Sequence, residues 1–108
     1  MLKAKKNIAI LGSTGSIGTQ ALNIVKNRPD LFGVFLLSAN SNYMLLFAQA
    51  KKFKPKHVVI NSEEGYRFLK KHLSNKKTEV SRGNSDLCGL MGASEIDLVL
   101  SAIMGGAG

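Results

Sequence analysis

Short apolar runs alternate with stretches of helical periodicity along most of this chain. Asn7-Ile-Ala-Ile-Leu11 reads as a buried parallel strand, and the segment after it repeats apolar residues at Ile17, Ala21, Ile24 and Val25, the spacing of a helix. Pro29 closes that helix. The alternation returns with Val34-Phe-Leu-Leu-Ser38 as a second strand, Ala39-Asn-Ser-Asn42 as a polar turn, and a helix carrying Leu46, Ala50 and Phe53 on one face and ending before Pro55. His57-Val-Val-Ile-Asn61 predicts a third strand. The helix after it runs from about Ser62 to Leu73, with Ser62 as its cap and Glu63 and Glu64 against the positive end of its dipole. Beyond a loop at Ser74-Asn-Lys-Lys77, Glu79 and Val80 suggest a short edge strand, Asp86 to Met91 a short helix, and Ile96-Asp-Leu-Val-Leu-Ser-Ala102 a last strand. Repeated strand–helix units imply an α/β fold: a Rossmann-like, doubly wound, mostly parallel sheet with helices on both faces and right-handed crossovers. A ligand site is then expected in the crevice at the carboxyl ends of the first, second and last strands.

The first strand runs directly into Gly12-Ser-Thr-Gly-Ser-Ile-Gly18, which opens the first helix. A glycine-rich turn in that place lets the backbone approach a ligand closely, and the free N–H groups at the helix start favour an anion. A mononucleotide P-loop would need glycine at position 17 and lysine at 18, where the chain has Ile17 and Gly18. What remains is G-x-x-G-x-x-G, a dinucleotide fingerprint whose first turn is one residue longer than G-x-G-x-x-G. Three glycines alone also suit an ordinary turn; the flanking strand and helix favour the cofactor. Gly15 is expected to be the least replaceable residue of the turn, since a side chain there would point at a pyrophosphate.

With 108 residues the chain forms one domain, residues 1–108. The apolar run after the basic residues 1–6 is far too short for a signal core or a membrane span, which predicts a cytoplasmic protein or one resident in a plastid after loss of a transit peptide. The net charge is +8, and before Glu63 the only acidic residue is Asp30. Lys51-Lys-Phe-Lys-Pro-Lys56 could serve a nucleic acid, but few aromatics accompany it, and lysines at a helix end complement the dipole there. No nucleic-acid or membrane partner is expected. Cys88 is alone and reads as a small buried hydrophobe, and with His57 and His72 separated by a helix no metal site is expected in the chain. Tyr66-Arg-Phe-Leu-Lys70 matches the Tyr-x-x-x-Lys pair of short-chain dehydrogenases, yet it comes too early and on the wrong helix, so Tyr66 is assigned to the core beside Leu69 and Leu73.

An NAD site places a carboxylate at the end of the second strand, on the ribose 2′-hydroxyl. Ser38-Ala-Asn-Ser-Asn42 has none, which favours NADP(H), with Asn40, Ser41 and Asn42 as donors in a positive field. The string Lys6-Asn-Ile-Ala-Ile-Leu-Gly-Ser-Thr-Gly-Ser-Ile-Gly-Thr-Gln20 resembles the N-terminus of the 1-deoxy-D-xylulose 5-phosphate reductoisomerase family, as do Asn27-Arg-Pro-Asp30, Phe53-Lys-Pro55 and Ser101-Ala-Ile-Met-Gly-Gly-Ala-Gly108. That resemblance implies an NADPH-dependent rearrangement and reduction of deoxyxylulose phosphate to 2-C-methyl-D-erythritol 4-phosphate, in isoprenoid synthesis, with a divalent metal (Mg or Mn). It implies that Thr14, Gly15, Ser16 and Ile17, with Gly12 in the same turn, hold the cofactor phosphates. Asn40, Ser41 and Asn42 would surround the adenosine 2′-phosphate, and the Ala102 to Gly106 turn would lie near the nicotinamide. Many members have a basic residue where this chain has Ser41, so the 2′-phosphate would rest on neutral donors and nearby lysines. Since the last strand runs into a glycine-rich turn and stops, the chain is expected to be the N-terminal part of a longer homodimeric enzyme. The metal ligands, the sugar-phosphate site and every catalytic residue would lie beyond it, and the chain alone would be inactive. An NADP-binding domain of another reductase, or a stand-alone NADP-sensing module, is the alternative.

Overall fold

Five parallel strands form one sheet: β1 (Lys6–Leu11), β2 (Phe32–Ala39), β3 (His57–Ile60), β4 (Glu79–Arg82) and β5 (Leu98–Ser101). The structure is a computed structural model, and it describes residues 6–73, 78–83 and 96–101. Helix α1 (Ser16–Asn27) joins β1 to β2, α2 (Tyr43–Phe53) joins β2 to β3, and α3 (Glu63–Leu73) follows β3. The sheet order is β4-β3-β2-β1-β5. The chain therefore steps outward from β1 to β4 and then returns to the other side of β1, which puts the reversal of strand order at the strand that carries the glycine turn.

Because the first steps all run in one direction, crossovers of a single hand place the three helices on the same face. Leu22 and Val25 of α1, Leu46 and Ala50 of α2, and Leu69 and Leu73 of α3 meet Ile8, Ile10, Leu37, Ala39, Val58, Ile60 and Val80 in one buried cluster. On the opposite face Ala9, Phe35, Leu36 and Val59 are buried with Leu11 and Ile96 against them. The segment expected to form a helix over Asp86–Met91, like the turn Ala102–Gly106 and Cys88, lies outside the described residues.

Three local details depart from the sequence pattern. Ile8 pairs with Val34 but Ala9 pairs with Leu36, so β2 carries one extra residue, Phe35, at a bulge. The bulge turns Phe35 and Leu36, neighbours in sequence, into the same cluster, which strict alternation forbids. In α1 the inner stripe is Gly18, Leu22 and Val25, all buried, whereas Ile17 and Ile24 are 48% and 61% exposed. They are seven residues apart and so share a stripe, rotated by about 100° from the buried one. Strand β2 also begins earlier and ends later than the apolar run Val34–Ser38.

The helix ends follow the expected signals. Lys54 stops α2 in the left-handed conformation (φ 51°), its N–H bonding to the Ala50 carbonyl at 2.8 Å, with Pro55 next. Asp97 ties the entry of β5 to that of β1: its carboxylate accepts from the Asn7 N–H at 2.8 Å, and its own N–H donates to the Asn7 carbonyl at 2.9 Å. No described helix is long and apolar enough to cross a membrane.

Candidate cofactor site

The glycine turn is fastened to the protein from behind. Leaving β1, the chain takes a positive φ of 79° at Gly12, and the N–H groups of Gly12 and Ser13 both donate to the Ser38 carbonyl of β2, each at 2.9 Å. Ser13 is fully buried; its hydroxyl donates to Gln49 Oε1 at 2.7 Å, and Gln49 Nε2 donates back to the Ser13 carbonyl at 2.8 Å. A side chain of α2 thus holds the turn at two atoms. Gly18 completes the anchoring: a Cβ there would stand 2.3 Å from the Gly12 carbonyl oxygen and 2.6 Å from Ser13 Cα, so α1 lies against the turn only because residue 18 has no side chain.

On the other side of the same turn the Gly15 N–H bends back onto the Gly12 carbonyl at 3.2 Å, and no side chain anchors it. Gly15 is the N-cap of α1 with an extended backbone (φ −77°, ψ 175°); no side chain caps the helix and its first turn holds no acid. Gly15, Ser16 and Ile17 are exposed and Thr14 half-buried. A helix start leaves several N–H groups without backbone acceptors, and those of α1 receive no side-chain substitute. Its neighbours differ. In α2 the Asn42 Oδ1 accepts from the Leu45 N–H at 3.3 Å, and α3 has the Ser62 hydroxyl on the Gly65 N–H at 2.9 Å together with Glu63 and Glu64 in its first turn. Of the three helix starts described at this edge of the sheet, α1 is the one prepared for an external anion.

Asn40, Ser41 and Asn42 follow β2 beside this turn, and all three are exposed. The cap commits Asn42 Oδ1 to the backbone, so Nδ2 is the atom Asn42 can offer as a donor. Asn40 Oδ1 similarly accepts from Asn61 Nδ2 at 3.1 Å, while the Asn40 carbonyl accepts from the N–H groups of Asn61 and Ser62 at 3.2 and 3.0 Å. The ends of β2 and β3 are thereby laced together.

Among the described residues, the lysines of α1, α2 and the approach to β3 do not stand beside this turn. Lys26, Lys51, Lys52, Lys54 and Lys56 lie at the ends of α1 and α2 and in the approach to β3, which is the opposite edge of the sheet. Lys26 and Lys52 face each other there across the groove between α1 and α2, and this contact and its repulsion hold Lys52 below the ordinary lysine pKa. At the carboxyl edge Tyr43 donates its hydroxyl to Glu64 at 3.1 Å, and the carboxylate raises the phenol pKa above its ordinary value. Glu64 thus reaches the side-chain end of Tyr43, the second residue after Ser41.

Sequence reasoning had named Gly12, Thr14, Gly15, Ser16, Ile17, Asn40, Ser41 and Asn42, and the fold brings both groups to one edge. Ser13 and Gly18 enter that reading only as members of the glycine motif, with no role of their own, and Gln49 is absent from it. Gln49 gave a signal: it is a polar residue three positions after Leu46, on the face that is otherwise core. Within the protein a Cβ at Gly15 would meet the Gly12 carbonyl oxygen at an ordinary 3.6 Å, whereas internal packing forbids a side chain at Gly18. Tyr66 packs against the core with Lys70 Nζ 5.9 Å from its ring centre, as a structural pair. His57 begins β3 beside Phe35, and His72 stacks on Phe68. Among the described residues no three His, Cys, Asp or Glu side chains converge to hold a metal.

Residues 8–108 match the family model described as 1-deoxy-D-xylulose 5-phosphate reductoisomerase. The enzymes of that name from Bacteroides fragilis and Bacteroides thetaiotaomicron are 51% and 50% identical to this chain over 104 residues, which are 96% of it and 27% of each of them. The chain thus spans about a quarter of the length of these curated relatives. Among solved structures, 1-deoxy-D-xylulose 5-phosphate reductoisomerase from Zymomonas mobilis in complex with NADPH superposes with a TM-score of 0.84 at 34% identity, over 97% of this chain and 28% of that one. A DOX-P reductoisomerase in complex with NADPH, fosmidomycin and magnesium gives 0.86 at 29% identity, over 94% and 25%.

Proposed function

We propose, since this chain belongs to the 1-deoxy-D-xylulose 5-phosphate reductoisomerase family, that residues 1–108 are the NADPH-binding domain of an enzyme converting 1-deoxy-D-xylulose 5-phosphate to 2-C-methyl-D-erythritol 4-phosphate. The observation that carries this is the uncapped, acid-free start of α1 on a turn already fixed by Ser38 and Gln49. The N–H groups around Thr14, Gly15, Ser16 and Ile17, with Gly12 shaping the turn, would take the pyrophosphate. Asn40, Ser41 and Asn42 would take the adenosine 2′-phosphate. NADPH supplies a hydride when bound; this chain's own residues bind and orient the cofactor and perform no proton transfer. We assign the divalent metal, the sugar phosphate and the catalytic groups to the remaining length of the longer enzymes that the chain matches. Cytoplasmic residence and a homodimeric full-length enzyme belong to the same reading. Nucleic acid does not, because the lysine-rich ends of α1 and α2 complement their own helix dipoles.

The test is calorimetric titration of the chain with NADPH and NADH. A 2′-phosphate held by a few charge-assisted hydrogen bonds should favour NADPH by roughly ten- to a hundred-fold. Equal or tighter binding of NADH sinks the assignment.

A further inference from the structure

The turn after β2 offers a phosphate dianion only neutral donors, and Glu64 adds a negative charge beside Tyr43. A positive charge on the carboxyl edge would complement such a dianion. Among the described residues two arginines stand there. Arg67 of α3 lies along its own helix, its Nη2 2.6 Å from Glu63 Oε2 one turn earlier. The other is Arg82, the last residue of β4.

We propose that Arg82 is the residue that selects the adenosine 2′-phosphate, reaching over the end of β3 from two strands away. The inference rests on the NADPH reading above. Arg82 is in register with Ile60, and Ile60 with Ala39, so the arginine, β3 and the residue before Asn40 form one row across the sheet. Adjacent strands are about 4.8 Å apart, and an extended arginine covers one such spacing with its head group left over. The side chain leans in the required direction: its Nε approaches the Asn61 carbonyl at 3.4 Å, and Asn61 in turn bonds to Asn40. The Gly83 N–H on the Ile60 carbonyl, at 3.2 Å, fixes the backbone just beyond the arginine. A guanidinium suits this task because it presents several N–H groups in a plane, holds its charge at any working pH, and can bond a carbonyl and a phosphate at once.

The experiment titrates the chain and its R82Q and R82K variants with NADPH and with NADH, with circular dichroism reporting the fold of each. R82Q should lose about ten-fold in NADPH affinity and nothing in NADH affinity, and R82K should recover part of the loss. The NADPH affinity of the parent should fall with added salt more steeply than that of R82Q. If R82Q keeps the parent's NADPH-to-NADH ratio, the role of Arg82 is overturned while the NADPH reading stands. If the parent itself shows no preference, the NADPH reading fails first and this one with it.

Discussion

Replacing Gly18 by alanine separates two opposing effects whose sizes the structure provides. In a helix, glycine to alanine normally stabilises by about 0.5–1 kcal/mol, because the chain loses less freedom on folding. Here the added Cβ would meet the Gly12 carbonyl oxygen at 2.3 Å, Ser13 Cα at 2.6 Å and Ser13 carbonyl carbon at 2.8 Å, where ordinary contact begins near 3.4 Å. All three atoms are backbone, and the turn that carries them is bonded to Ser38 and Gln49, so no side chain can swing aside. The start of α1 must withdraw by about 1 Å. Overpacking of this kind costs about 1–3 kcal/mol and outweighs the gain in propensity. Thermal unfolding of G18A should therefore show a midpoint lowered by roughly 5–10 °C. Its NADPH affinity should fall at least about ten-fold, because displaced N–H groups no longer lie at hydrogen-bond distance from a phosphate. G15A is the control: with its Cβ at 3.6 Å it should unfold like the parent, and any loss of affinity then reports on the cofactor alone. A G18A protein as stable and as tight-binding as the parent would refute the reasoning.

Gln49→Leu removes both partners of a fully buried serine, leaving the Ser13 hydroxyl and carbonyl unsatisfied; urea unfolding should show a loss of about 2–4 kcal/mol, and a loss under about 0.5 kcal/mol would contradict the anchoring role. Glu64→Gln removes the carboxylate that favours the neutral phenol of Tyr43, so the ultraviolet titration of Tyr43 should move to lower pH, and an unmoved midpoint would show that the pair does not persist in solution.

Much of this architecture was legible in the sequence because its signals are local. Apolar runs marked β1 and β3, Pro29 and Pro55 marked helix ends, and Ser62 with two glutamates marked the start of α3. What escaped depends on contacts between segments distant in sequence. The Phe35 bulge is defined by pairing with β1 and has no composition of its own. The spacing of Ile17, Ala21, Ile24 and Val25 identified a helix but not its inner side, which the close approach of Gly18 to Gly12 decides. Charge was the least legible property. Counting lysines gave a positive field, and the fold sends the lysines of α1 and α2 to the edge away from the glycine turn while placing Glu64 on the near one.

The same division explains why the phosphate turn can be specific while being built of small, common residues. Within seven positions, Gly12, Ser13 and Gly18 serve the protein: one turns the chain, one is locked to Gln49, and one lets the helix close on the turn. Thr14, Gly15, Ser16 and Ile17 lie between them, the last three exposed and Thr14 half-buried, with an extended cap and no side-chain acceptor on the first N–H groups. Three glycines that look equivalent in the sequence therefore do different work, and among the described residues nothing crowds a side chain at Gly15. Such a residue suits a ligand, since no described residue fills the space above it. The scaffold contacts hold those N–H groups in place before any anion arrives, which reduces the ordering cost of binding. Selectivity for the rest of the cofactor must then come from outside the turn, from the uncharged Asn40–Asn42 segment and the charges at the ends of the neighbouring strands.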